Sequence, residues 1–81
     1  MNGYLITFRS ITPAQRGEKL LQKNGISCSL RRTPRWMEEQ GCGYSLVVKD
    51  GIGAVSLLRS HSVPFRKVYL QRNGKAEEVE L

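Results

Sequence analysis

The spacing of apolar and polar residues along the chain predicts four β-strands. The first is Gly3–Phe8, a run rich in β-forming residues. Apolar and polar residues alternate over Ile26–Thr33, which is typical of a half-buried second strand that ends before Pro34. Two later runs, Tyr44–Asp50 and Phe65–Gln71, predict the third and fourth strands.

A first helix is expected between strands one and two. Thr12 is its expected cap, Pro13 takes the first helical position, and Gln15 completes a T-x-x-Q capping box. We expect the helix to stop at Gly25, because glycine readily adopts the left-handed conformation that ends many helices. The residues predicted on its buried face are Ala14, Gly17, Leu20 and Leu21.

A second helix is expected between strands three and four. Asp50 is the predicted cap of a helix that runs from Gly51 to about Ser62, before Pro64 breaks the pattern. The residues predicted on its apolar stripe are Ile52, Val55 and Leu58, with Leu57 beside them.

The order β-α-β-β-α-β predicts an α+β fold, the ferredoxin-like sandwich. The right-handed crossover rule then gives an antiparallel four-stranded sheet of order 4-1-3-2, with two helices on one face. We expect a single domain over residues 1–72. A turn at Asn73 and Gly74 is expected to lead into a polar, mobile tail over residues 73–81.

Charge is unevenly distributed along the 81 residues, which carry a net charge of +6. Seven basic residues and one acid, Glu18, lie between Met1 and Met37, whereas acids outnumber bases in the last nine residues. A basic first half favours an anionic partner such as nucleic acid, an acidic protein or a small anion. Ordinary solubility charge is the alternative explanation.

Several classes of protein are not favoured by the composition. The chain has no apolar run of about 20 residues and no signal-peptide pattern at its start, so we expect a cytoplasmic protein with reduced thiols and no membrane contact. Two cysteines and one histidine are too few for a closed zinc site. Phosphate-loop and dinucleotide motifs are missing, so we expect no cofactor and no free-standing enzyme activity.

The predicted topology makes Cys42 the most interesting residue chemically. Strands one and two end at the same end of the sheet, where strand three begins directly after Cys42. Helix one also begins there, and helix two ends there near His61. The residues expected to surround the thiol are Arg9, Ser10, Arg31, Arg32, Arg35, Gly41 and Gly43.

Such surroundings predict a reactive thiolate at Cys42. Nearby cations and a helix start lower the pKa of a cysteine from about 8.5 into the range of about 3.5–7.5, and flanking glycines let another sulfur approach. This arrangement suits the transfer of a persulfide, with His61 as a candidate proton relay. The alternatives are that Cys42 is only a small filler in a turn and that His61 is structural. Cys28 shares its face with Ile26 and Leu30, so we expect it in the core.

Three segments together resemble a known family. They are YLITFRSITPAQRGEKLL, RTPR and GCGYSLVV, and the resemblance extends from about Tyr4 to Leu70. The chain is similar to the Se/S carrier protein-like family of small bacterial proteins, whose pattern matches Phe8-Arg9-Ser10 and Cys42-Gly43. The resemblance implies a ferredoxin-like sulfur or selenium carrier that meets a desulfurase-type donor and an acceptor protein. Established small sulfur carriers instead use a Cys-Pro motif before a helix, which this chain lacks.

Two other functions fit the same fold. In a regulatory or assembly module, Leu5, Val47 and Tyr69 would form a patch opposite the helices that pairs two subunits as a homodimer. In an RNA-binding domain, aromatic residues on strands one and three would stack on bases. The segment Gln40–Tyr44 matches the strand-three signature of such domains only in part, so nucleic acid is the less favoured partner.

Overall fold

Two helices and five strands follow one another along the part of the chain that the computed structural model describes, residues 3–32, 43–72 and 75–80. The elements are β1 (Gly3–Phe8), α1 (Ile11–Lys23), β2 (Cys28–Arg32), β3 (Tyr44–Val48), α2 (Gly51–Ser60), β4 (Val68–Arg72) and β5 (Lys75–Val79). The α+β class and the order of the first six elements are those that the sequence predicts.

The strands form one antiparallel sheet of order β2-β3-β1-β4-β5. The predicted order 4-1-3-2 is therefore confirmed for the first four strands. The register places Phe8 opposite Tyr44 across β1 and β3, and Arg32 opposite the same Tyr44 across β2 and β3. The rule that such crossovers are right-handed is sufficient to predict this order.

A fifth strand replaces part of the predicted polar tail. β5 pairs with β4 along its whole length, from Val68 opposite Val79 to Arg72 opposite Lys75. Val79 packs against the core, and the Lys67 Nζ lies 3.5 Å from the Glu78 Oε1. The polar sequence hides this strand, because its stability comes from backbone pairing and one apolar contact. The predicted turn at Asn73 and Gly74 lies outside the described residues.

The start of α1 differs from the prediction. Ser10, with extended backbone at φ −147° and ψ 172°, is the N-cap, and the helix already includes Thr12. The prediction of Thr12 as cap was therefore wrong by two residues, because β1 leads into the helix with only Arg9 and Ser10 between them. The predicted stop is confirmed, since Gly25 follows the helix with φ +78°.

The start of α2 agrees with the prediction, but its buried face does not agree fully. The Asp50 carboxylate accepts a hydrogen bond from the Gly53 N–H at 2.9 Å, which caps the helix. Ile52 is 67% exposed, so its predicted place on the apolar stripe was wrong. The residues that are buried are Gly51, Ala54, Val55 and Leu58. Their spacing of three, four and seven residues defines one helix face, and Ile52 lies off that face.

The core lies between the sheet and the two helices. Ile6, Phe8 and Leu46 from the sheet meet Leu21 and Leu58 from the helices, all at 1% exposure or less. A methyl group on Gly17 would lie only 3.1–3.3 Å from the side chains of three core residues. The predicted close packing of Gly17 on the sheet is therefore confirmed, and both helices cover the same face.

Candidate functional site

Three strand ends meet at one end of the sheet, called here the Gly43 end. β1 ends at Phe8 and β2 ends at Arg32, and both residues lie opposite Tyr44, the first residue of β3. Gly43, which precedes Tyr44, is buried. This is the convergence of strand ends that the topology predicts around Cys42.

Arg9 and Ser10 lie between β1 and α1 at the Gly43 end, and both are exposed. Ser10 occupies the N-cap position, but its side chain makes no capping hydrogen bond. The first turn of α1 contains no acidic residue. The partial positive charge at the start of α1 is therefore not offset by a carboxylate of its own first turn.

Arg31 and Arg32 lie on opposite faces of β2. Cys28 and Leu30 pack against the core, so the alternation of the strand puts Arg32 on the helix side and Arg31 on the other side. Both arginines are exposed. The end of β2 therefore carries one cation on each side of the sheet.

The structure describes only some of the other predicted site residues. Cys42, Arg35 and Gly41 lie outside the described residues, and Cys42 is the chain neighbour of Gly43. His61 is the exposed C-cap residue of α2, and its N–H donates to the Leu57 carbonyl oxygen at 3.1 Å. The segment that follows returns to β1, where the Arg66 N–H donates to the Thr7 carbonyl oxygen at 2.7 Å. α2 therefore ends toward the Gly43 end, as expected.

Cys28 is a thiol in a different environment. Its Sγ lies 3.7 Å from the carbonyl oxygen of Glu18, to which it donates a hydrogen bond. Burial, and to a lesser degree the negative charge of Glu18, raise the pKa of the Cys28 thiol. Cys28 packs against the core as expected, but it stays half-buried because β2 is an edge strand. A raised pKa leaves little thiolate at neutral pH, so this thiol is a poor nucleophile.

Cys28 also lies far from the Gly43 end. It pairs with Val48 at the opposite end of β3, about 17 Å from Gly43 at the usual rise of a strand. Two cysteines form a disulfide only when their Cα atoms are within about 7 Å. Cys28 and Gly43 are therefore much farther apart than two residues that a disulfide could join.

The face of the sheet opposite the helices is called here the open face. Leu5, Val47 and Tyr69 form one row across it, as expected, because Leu5 lies opposite both of the others. Leu5 is only 3% exposed, whereas Val47 and Tyr69 are half-buried. Tyr44 packs against the core on the helix side. The described residues of β1 and β3 therefore present no aromatic ring on the open face for stacking on bases.

A groove that the sequence does not predict crosses the open face. It has a volume of about 510 Å³, and its lining combines apolar residues with hydroxyl, amide and cationic groups. Residues that line it include Leu5, Ser29, Arg31, Val47, Lys49 and Gln71. Only the register of four strands brings these residues together, so no local pattern could have identified them.

Two further features concern only the described part of the chain. No group of three or more His, Cys, Asp or Glu side chains there is arranged to hold a metal ion. No helix there is long and apolar enough to cross a membrane.

The family model described as "Putative Se/S carrier protein-like" matches residues 3–70. The chain therefore belongs to this family, which confirms the resemblance drawn from its sequence segments. The match includes β1 to β3, the Gly43 end and Cys42. No curated protein and no solved structure matches the chain.

Proposed function

We propose that this protein is a sulfur or selenium carrier in which Cys42 holds the transferred atom. Membership in the family supports a carrier role in general. The assignment to Cys42 rests on one observation, the convergence of three strand ends beside Gly43. Arg9, Arg32 and the start of α1 lie at the Gly43 end, and Cys42 precedes Gly43 in the sequence.

The chemistry of the proposed site follows from its charge. Arg9, with one of Arg31, Arg32 and Arg35, would stabilise the Cys42 thiolate, and the start of α1 would add a partial positive charge. Gly41 and Gly43 carry no side chains that would obstruct an incoming sulfur. The same cations would hold the persulfide as an anion, and His61 is the candidate to move a proton when the atom is passed on.

Neither transfer step requires an outside oxidant, because each one forms one bond to the transferred sulfur and breaks one sulfur–sulfur bond. The Cys42 thiolate attacks the outer sulfur of a persulfide on a donor protein. A new sulfur–sulfur bond forms, the donor's sulfur–sulfur bond breaks, and the donor cysteine leaves as a thiolate. An acceptor nucleophile then attacks the outer sulfur of the Cys42 persulfide. The Cys42 sulfur leaves as a thiolate. The chain acts as a carrier between a desulfurase-type donor and an acceptor, and it needs no cofactor of its own.

The other two functions receive less support. Base stacking lacks its platform, since Tyr44 packs on the helix side. A two-subunit contact through the open face would have to use Leu5, which is already buried. Neither of these two functions would make use of the three strand ends that converge at the Gly43 end.

The pH dependence of alkylation tests the proposal. In a Cys28→Ser variant, we expect Cys42 to be alkylated with a pKa below the usual value of about 8.5. Incubation with a protein persulfide donor should leave one added sulfur on Cys42 by mass spectrometry. An Arg9→Gln change should raise that pKa, whereas Lys19→Gln, on the exposed face of α1, should not change it. A Cys42 thiol with an ordinary pKa and no added sulfur would refute the carrier role.

A further inference from the structure

The two edges of the described sheet are strands of similar size. Within the described part of the chain, β2 and β5 have a strand neighbour on one side only, and each has five residues. An unpaired edge exposes a row of backbone N–H and C=O groups that can pair with another strand. Proteins usually protect such edges, and charged side chains are a common means.

The two edges carry opposite charges. β2 ends in Arg31 and Arg32, both exposed. β5 and the residue after it carry the exposed carboxylates of Glu77, Glu78 and Glu80, against the single cation of Lys75. Like charges would keep β2 from pairing with a second β2, and β5 from pairing with a second β5. They do not oppose the pairing of β5 with β2, because opposite charges attract.

The direction of the two strands agrees with such a pairing. β2 and β5 each run parallel to β1, because each is separated from it by two antiparallel pairings. If the sheet of one molecule continued into the next with all helices on one side, β5 and the neighbouring β2 would run parallel.

The side chains on the open face would then meet with opposite charges. Glu78 shares a row with Tyr69 on that face, and Arg31 lies opposite Ser45 on the same face. Pairing the two five-residue strands over their full length puts Arg31 of one copy beside Glu78 of the other. Glu78 is exposed, and its Oε1 also lies 3.5 Å from the Lys67 Nζ of its own molecule.

We propose that copies of this protein associate head to tail, with β5 of one molecule added to the β2 edge of the next. The interface is heterologous, since it joins two different surfaces, so it builds a ring or an open chain of molecules and not a two-fold dimer. Backbone pairing supplies the contact, and the opposite charges select the partner edge. This proposal does not depend on any chemistry at Cys42.

A charge-swap experiment tests the proposal with two variants of the full chain. Arg31→Glu makes the β2 edge less basic, and the double change Glu77→Lys and Glu80→Lys makes the β5 edge basic. Sedimentation velocity should show that the unchanged protein grows in mass with concentration beyond a dimer. Each variant alone should associate at least about tenfold more weakly, because Arg31→Glu puts a carboxylate beside Glu78 of the neighbour, and the double change puts a basic β5 edge against the basic β2 edge.

Mixing the two variants should restore association, because the acidic β5 of the first faces the basic β2 of the second. Both variants keep a net positive charge, so general attraction between the molecules cannot explain recovery. Lys19→Glu, on the exposed face of α1, changes the charge by the same amount as Arg31→Glu and should leave association unchanged. Amide hydrogen exchange should slow in β2 and β5 on association, but not in α1.

Three outcomes would overturn the proposal. They are a monomeric state of the unchanged protein at every concentration and at low salt, an association that is insensitive to Arg31→Glu, and a mixture of the two variants that stays monomeric. Circular dichroism of each variant distinguishes these outcomes from a failure to fold.

Discussion

The thiol of Cys28 lies 3.7 Å from the backbone carbonyl oxygen of Glu18, a contact that joins β2 to α1. Burial and the Glu18 charge raise the pKa of this thiol, so folding favours its protonated form. We therefore expect the two cysteines of the chain to behave differently. Cys28 is held in a structural contact, and Cys42 belongs to a segment that begins at a cationic end of the sheet.

The stability of the fold should depend on the ionisation of Cys28. Because the folded pKa is raised, the stabilisation is fully present below the unfolded pKa of about 8.5 and is lost as pH rises through the folded pKa. Urea unfolding of the Cys42→Ser protein should therefore show a decline in unfolding free energy at alkaline pH. A further Cys28→Ala change should reduce that decline. Equal slopes for the two proteins would contradict the expected linkage.

The two helix caps should respond differently to the same substitution. Asp50→Ala removes the hydrogen bond from the Gly53 N–H and should cost about 1 kcal/mol of unfolding free energy. Ser10→Ala removes a side chain that makes no capping bond and should cost less than about 0.5 kcal/mol. Chemical denaturation measures both. A cost at Ser10 as large as that at Asp50 would show that the Ser10 hydroxyl caps α1 after all.

The glycine at the start of α2 should not tolerate alanine. A methyl group on Gly51 would overlap the ring of Tyr4, and the ring is held in the core layer, so Gly51→Ala should cost about 1–3 kcal/mol. Gly17→Ala is the matched control. Its methyl group would meet only side-chain atoms at 3.1–3.3 Å, and alanine gains about 1 kcal/mol of helix propensity over glycine. Thermal unfolding should therefore rank Gly51→Ala as clearly the more destabilising change.

Two apolar residues of α2 should differ sharply when truncated. Ile52 is 67% exposed, so Ile52→Ala should change the unfolding free energy by no more than about 0.5 kcal/mol. Leu58 is fully buried, so Leu58→Ala should cost about 2–5 kcal/mol. Denaturant titration of both variants compares them directly. A large loss at Ile52 would mean that its exposed side chain is covered by a contact between molecules.

Local patterns alone were sufficient for much of the fold. The alternation over β2, the cap at Asp50 and the helix stop at Gly25 each depend on residues within a few positions of one another, and each was confirmed. The convergence of strand ends at Gly43 also followed from the sequence, because chirality and short connections leave few topologies for this element order. The Cys42 site that this convergence suggests stays a prediction.

Tertiary structure decided what local patterns could not. β5 is polar and forms because β4 offers an unpaired edge and Val79 finds an apolar contact, neither of which is visible in residues 75–79 alone. Ile52 is apolar yet exposed, because the orientation of α2 is set by the closer-fitting face that contains Gly51 and Leu58. The sequence by itself determined that the first six segments become strands and helices, since that depends on near neighbours. Only packing determined which edges stay open and which side chains meet across the sheet, since those contacts join residues far apart in the chain.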